Sequence, residues 1–143
     1  MQGSPAPERL DWKGPVVRSF RAHPSALHDI REFVRGLGED EHIGVDALDD
    51  LVLAVSEACA NAIIHTNSPT VEVACRFSSQ AVEVRVRDAG VFRRKVPVPE
   101  LGGTGRGIPM MMAVMDEVAI TEGSSRRPGT LVRLVKRTDS AST

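Results

Sequence analysis

Aromatic side chains are scarce in this sequence. Phe and Trp together make up 3% of it, and tyrosine is absent. A surface that grips single-stranded nucleic acid needs aromatic platforms for base stacking, so that class of function is disfavoured. Charge of one sign is missing too: the formal net charge is −1, which gives no bulk attraction to nucleic acid or to an anionic membrane. There are only two cysteines, Cys59 and Cys75, each in an apolar stretch and neither in a CxxC pair. They read as buried free thiols in a reducing compartment, and they are too few for a thiolate zinc site. The first residues, "MQGSPAPERLDW", lack the basic-then-apolar pattern of a signal peptide, and no apolar run approaches membrane-spanning length. The expectation is a soluble, cytoplasmic protein.

What remains is a globular profile: 143 residues, 41% hydrophobic and 26% charged, enough for one domain with a real core. Residues 1–14 and 138–143 are expected to be flexible tails around a domain at 15–137. Pro15 to Ala22 fits a first strand. In "PSALHDIREFVRGLG" the apolar residues Ala26, Leu27, Ile30, Phe33, Val34 and Leu37 fall at helical spacing, with Ser25 placed to cap the start and Gly38 to end it. A longer helix is expected over Val45–His65, broken by "TNSPT". "TVEVACRF" and "AVEVRVRD" alternate apolar and polar residues around "SSQ", which predicts a β-hairpin with one buried face. "AGVFRRKVPVPELGGTGRG" reads as a loop, "IPMMMAVMDEV" as a short helix whose methionines fill core, and "VAITEGSSRRPGTLVRLVKR" as strand, turn, strand. Antiparallel strand pairs with helices between them suggest an α+β two-layer sandwich, mostly antiparallel, with helices on one face.

Within the second helix, "LVLAVSEACANAIIH" sets Glu57 and Asn61 four residues apart on the side opposite the apolar stripe of Leu48, Leu51, Val52, Val55, Cys59, Ala62 and Ile63. From Leu51 to Ile64 the only other polar residue is Ser56. An ionised carboxylate in such company is costly unless a metal ion, a water poised for deprotonation or a basic group answers it, or unless it reaches solvent at the rim. Asp88 and Gly90 close a strand, where a carboxylate can accept a hydrogen bond from an amino group and a glycine admits a flat ligand; an ordinary Asp-Ala-Gly turn has the same letters. In "LGGTGRGIPMM", Gly102, Gly103, Gly105 and Gly107 stand directly before a helix, with Arg106 among them. Free N–H groups at a helix N-terminus suit phosphate, and Pro109 is tolerated in the first turn. The stretch is neither a Walker A loop nor a Rossmann fingerprint.

"EACAN" on a helix, "DAG" after a strand and "GRG" before a helix, in that order, resemble the three nucleotide-binding boxes of the GHKL ATPases, which share the Bergerat fold. "SEACANAIIH" and "GRGIPMMMAVMDEV" resemble in particular the anti-sigma factor serine-protein kinases of bacterial partner-switching systems. The resemblance runs from about Val16 to Arg137. It implies that Asn61 holds Mg2+ on the phosphates of ATP and that Glu57 is the general base. It implies further that Asp88 takes the adenine amino group and that Gly90 shapes the base pocket. Gly103, Gly105, Arg106 and Gly107 lie against phosphate, and Thr130 stands near the adenine. Phe92 replaces the last glycine of the longer Asp-x-Gly-x-Gly pattern. The lid after Gly90 offers Arg93, Arg94 and Lys95 toward the γ-phosphate, with no ground for choosing among them; a solvated basic loop has the same composition. His65, after the first box, has two readings, a place near the phosphates or a helix end, where the dipole favours it; the second is preferred.

The function implied is an ATP-dependent protein kinase that phosphorylates a Ser or Thr of an anti-anti-sigma (STAS-domain) partner and otherwise holds a sigma factor. A homodimer is implied as well, with the first helix contributing to the dimer and sigma-binding face. The alternative is a nucleotide-binding module that controls a partner without phosphotransfer. A sensor histidine kinase is disfavoured, since no dimerisation helix with a phosphoacceptor His precedes the domain. A topoisomerase or chaperone ATPase would need further domains.

Overall fold

The computed structural model describes residues 11–90, 103–123 and 128–138, with backbone alone at 103–107. Alternation does most of the work of building it. Strands β1 (Lys13–Arg21), β2 (Thr70–Phe77), β3 (Ala81–Asp88), β4 (Glu117–Glu122) and β5 (Thr130–Arg137) form one antiparallel sheet in the order β1-β2-β3-β5-β4. One face carries Phe20, Val71, Val73, Cys75, Val82, Val84, Val86 and Leu134, all buried. Helices α1 (Leu27–Asp40), α2 (Val45–His65) and α3 (Gly103–Val114) supply the second layer. From α1 come Ile30 and Val34, from α2 Leu48, Leu51, Ala54, Val55, Ala58 and Cys59, and from α3 Met111, which closes the core. The architecture is the α+β sandwich expected from the sequence.

The second helix and the hairpin have the predicted ends, and the two last strands pair as read. Other boundaries differ: the first strand runs Lys13–Arg21 in place of Pro15–Ala22. A short 3-10 turn at Pro24–Ala26 precedes α1, and its cap is His23, whose ring nitrogen accepts from the Ser25 N–H, so Ser25 does not cap the helix. Gly38 does not end α1 either. It lies buried within the helix, where an added Cβ would stand 2.5 Å from Leu48 Cδ1, so the glycine serves close packing of α1 on α2. The glycine-rich stretch, expected as a loop, already belongs to α3, which begins at Gly103 and ends at Val114, because Glu117 and Val118 are taken into β4. Of the methionines, Met111 and Met115 are core, while Met112 is exposed. Among the described residues no helix is long and apolar enough to cross a membrane.

The thiols of Cys59 and Cys75 are buried between α2 and β2, and burial pushes both up to about 12, so they stay protonated and unreactive. Lys136 on β5 donates to Asp50 on α2 at 3.0 Å and to the Val114 carbonyl at 2.7 Å, tying the C-terminal end of α3 to α2 and the sheet.

The outward face of the sheet is not uniformly solvated. Glu83 on β3 is 1% exposed there, and receives Arg76 through two contacts (2.8 and 3.2 Å) and Arg133 at 2.6 Å, with Arg85 at 3.2 Å. Burial alone would raise its carboxyl; hydrogen bonds from Arg76 and Arg133, and the charges of Arg85 and Arg76, outweigh that and hold it below its ordinary value. A carboxylate depressed in the fold contributes stability above its unfolded value of 4.5, and that contribution is lost as pH falls through the lower folded value. Glu83→Gln is expected to cost roughly 2 kcal/mol at neutral pH, less than a fully buried pair would because the guanidiniums are partly solvated. The variant should lose less stability on acidification than the parent; urea titrations at pH 7 and pH 3 check both.

Candidate active site

Between α2, α3 and the inward face of the sheet lies a cavity of about 290 Å3, near the small end of ligand pockets. Helix α2 contributes Ala58, Asn61, Ala62 and His65, one turn apart on one face. Helix α3 adds Ile108 and Met111, and the sheet adds Val86, Asp88, Ile120, Glu122, Thr130 and Val132. The walls are aliphatic, and the polar groups are few and convergent.

Asp88 is the most constrained of them. It is 5% exposed, at the last position of β3, opposite Thr130 in the ladder. Its Oδ1 accepts the Gly90 N–H at 3.1 Å, closing the Asp-Ala-Gly turn on itself. Burial pushes the carboxyl above its ordinary value, while hydrogen bonds from the Gly90 N–H, the Thr66 hydroxyl and the Thr130 N–H pull it back only in part. The Thr66 hydroxyl also lies 2.9 Å from the Ala62 carbonyl, so its single proton serves one acceptor at a time. Ser68 supports the same turn from below: it accepts the Ala89 N–H at 3.2 Å and donates to the Thr70 carbonyl at 2.7 Å.

Glycine is required at two places around this carboxylate. A Cβ on Gly90 would stand 2.4 Å from the Ser68 nitrogen and 2.6 Å from Asn67 Oδ1, so the turn packs directly on the chain leaving α2. Gly129 has φ +130, and a Cβ there would lie 2.3 Å from the Asp88 carbonyl oxygen. Backbone cannot swing aside as a side chain can. Gly129→Ala is therefore expected to destabilise the fold by roughly 3 kcal/mol, read as a shift in urea midpoint, and to displace Thr130 from Asp88.

The structure brings Asn61, Asp88 and Thr130 to one cavity, with Gly90 in the turn behind Asp88. Glu57 is half-buried on α2, one turn before Asn61, and does not line the cavity. Gly103, Gly105, Arg106 and Gly107 form the opening turns of α3, ahead of the wall residue Ile108. Phe92, Arg93, Arg94 and Lys95 lie outside the described residues. His65 does end α2, but it is buried and lines the cavity, which the helix-end reading did not anticipate. Sequence reasoning missed Thr66, Ser68, Glu122 and Gly129. Thr66 and Ser68 sit in the polar punctuation "HTNSPT", which signals a helix stop and nothing about Asp88. The Pro-Gly pair at 128–129 was a visible turn signal.

A buried carboxylate at the end of an aliphatic slot can accept a hydrogen bond from an amino group on a flat ring. An amide on the facing helix adds a neutral oxygen donor farther along. Among the described residues no group of three or more His, Cys, Asp or Glu could hold a metal ion, so an ion here would need most of its ligands from the bound molecule.

The histidine kinase-like ATPase domain family matches residues 20–136. Serine-protein kinase RsbW of Bacillus licheniformis is 27% identical over 133 residues, covering 80% of this chain and 79% of its own. The protein of that name from Bacillus cereus is 30% identical over 129 residues, covering 79% and 77%. In the crystal structure of the RsbU and RsbW domains of Rv1364c from Mycobacterium tuberculosis, the matching part superposes with a TM-score of 0.70 at 22% identity. That match spans 87% of this chain and 32% of the longer one, and it is a likeness of fold. With Asn61 and Asp88 brought to one cavity and a family match across most of its length, the chain belongs to the histidine kinase-like ATPases, in their anti-sigma factor serine-protein kinase branch.

Proposed function

We propose that this protein binds Mg·ATP in the cavity and, in the cytoplasm, transfers the γ-phosphoryl group to a Ser or Thr hydroxyl of an anti-anti-sigma (STAS-domain) protein, holding a sigma factor when that partner is absent. The observation that carries the reading is the Asp88 carboxylate, buried and hydrogen-bonded in the wall of a largely aliphatic cavity. Asp88 accepts the adenine amino group, and Val86, Met111, Ile120 and Val132 sandwich the ring. Gly90 brings the turn close behind the base. Thr130 completes the polar end.

Asn61 stands farther along α2 and offers an amide oxygen, a hard donor suited to Mg2+. The ion, largely ligated by phosphates and water, would supply charge neutralisation on the transferring group. The α3 turns at Gly103, Gly105, Arg106 and Gly107 fit the role of phosphate cradle. Roughly 13 Å of helix separates Glu57 from Thr66, so the carboxylate that takes the hydroxyl proton and the one that holds the base stand at opposite ends of the nucleotide. Glu57 lies outside the cavity wall, on the side a protein hydroxyl could approach. In the transfer, the substrate oxygen bonds to γ-phosphorus as the bond to the β,γ-bridging oxygen breaks. ADP leaves, and the hydroxyl proton passes to Glu57.

The test is incubation with γ-labelled ATP and candidate STAS-domain proteins from the same genome, alongside nucleotide-dependent pull-down of sigma factors. Label on one STAS Ser or Thr supports the kinase. Nucleotide-sensitive partner binding without any labelled product supports the non-catalytic module instead.

A further inference from the structure

The outward face of the sheet takes no part in the nucleotide site. By the pleat and the strand register, it carries six arginines, Arg21, Arg76, Arg85, Arg87, Arg133 and Arg137, against three glutamates, Glu72, Glu83 and Glu117. The excess is positive in a chain whose formal net charge is −1. A groove of about 390 Å3 runs across it, lined by Arg76, Arg85 and Arg87 against Glu72 and the arginine-bound Glu83, with Pro15 and Val17 at one side.

The arginines are held in place. Glu83, buried beneath them, gathers Arg76, Arg85 and Arg133 onto one carboxylate, which accepts two hydrogen bonds from Arg76 and one from Arg133. The ring of Trp12 lies 4.2 Å from the Arg76 guanidinium. Much donor capacity still points outward. Arg85 has its Nε 3.2 Å from Glu83 Oε1, and its side chain is half-exposed. Arg87 is exposed and makes no ion pair among the described residues. Preorganised guanidinium forks suit carboxylates, which they grip in pairs of parallel hydrogen bonds.

We propose that this groove docks an acidic, Asp/Glu-rich segment of a protein partner. Charge complementarity selects that occupant. A second copy would set like charges face to face. Single-stranded nucleic acid would need a series of rings for stacking, and Trp12, the one tryptophan in the chain, already packs on Arg76. The groove is separate from the ATP cavity, so a partner could engage it whether or not nucleotide is bound.

The full chain is titrated with a fluorescein-labelled ten-residue Asp/Glu peptide, following anisotropy, and with its unlabelled form, following Trp12 emission, at low and moderate salt. Saturable binding that weakens with salt, shifts Trp12 emission and falls about tenfold in the double variant R85E/R87E is expected. R87E, which breaks no ion pair among the described residues, should show a smaller loss, and thermal unfolding confirms that both variants are folded. Absent binding, or affinity untouched by either reversal, overturns the proposal. Tighter binding of a single-stranded oligonucleotide of equal charge overturns it in favour of a nucleic-acid face. Dissociation of a wild-type dimer by R87E, seen by sedimentation, overturns it in favour of a self-interface. None of these readings requires the protein to be a kinase.

Discussion

Glu57→Ala is expected to slow phosphoryl transfer by about 10²- to 10⁴-fold, the usual worth of a positioned general base, with ATP affinity nearly unchanged. The separation of effects follows from position. Glu57 is half-buried on α2 and stands off the cavity wall, so its removal takes nothing from the base pocket or from Asn61. The neighbouring Ala58 keeps its place in the wall, and the exposed side of the helix loses one carboxylate. Glu57→Gln keeps the shape and removes the basicity, and should be as slow as the alanine variant. Single-turnover transfer and equilibrium nucleotide binding, measured on the same preparations, distinguish the outcomes. Equal losses in both would mean that Glu57 supports binding; transfer at the parental rate would remove it from the chemistry.

Asp88→Ala should weaken nucleotide binding by roughly 100-fold, corresponding to one charge-assisted hydrogen bond in a buried site together with the turn it braces. Its Oδ1 also holds the Gly90 N–H, so alanine loosens the Asp-Ala-Gly turn, whereas asparagine can still accept that bond. Asp88→Asn therefore isolates the contact to the base. The pH dependence provides a second readout. Burial raises the Asp88 carboxyl above its ordinary value, so on acidification it protonates before a surface aspartate does, and nucleotide affinity falls with it. The asparagine variant should lack that fall. Stability runs the other way. A carboxyl raised in the fold contributes most below its unfolded value and loses that contribution as pH rises through the folded one. At neutral pH, Asp88→Asn is thus expected to melt slightly higher without ligand while binding nucleotide more weakly. Calorimetric titration and thermal unfolding at pH 5 and pH 7.5 measure the two effects. A variant that binds ATP as the parent does would mean that the base lies elsewhere.

Local pattern made the long elements legible. Helix α2 and the β2–β3 hairpin declare themselves by period, because each has one continuous buried face. Boundaries set by tertiary contact were not legible. Gly38 looks like a helix stop, yet it is a slot for Leu48, a residue ten positions on in another helix. The opening turns of α3 look like a loop, since Gly103, Gly105 and Gly107 disfavour helix, and packing of α3 against α2 offsets that. In the site, Asn61, Asp88 and Thr130 were legible as parts of a known arrangement. Thr66, Ser68 and Gly129 were not, since their work consists of holding Asp88 and no periodicity marks it. Glu83 was hidden for a similar reason. Its polar place in an alternating strand predicts solvent, and only the register of β2 and β5 brings Arg76 and Arg133 over it beside Arg85 of its own strand.

The pairing of Asp88 with Thr130 joins residues that lie far apart along the chain, across the β3–β5 ladder. The base end of the cavity therefore does not exist in any partly folded piece that lacks β5. Closing that loop is among the slower steps available to such a topology, so competence to bind should appear with the last cooperative phase of refolding and not before it. The converse holds at equilibrium. A ligand that recognises only the completed ladder stabilises the whole chain, by about 2.7 kcal/mol at a hundred times its dissociation constant. In a cell, the ratio of nucleotide to its dissociation constant would then set how long each molecule survives proteolysis, and the lifetime of this protein would track its energy supply.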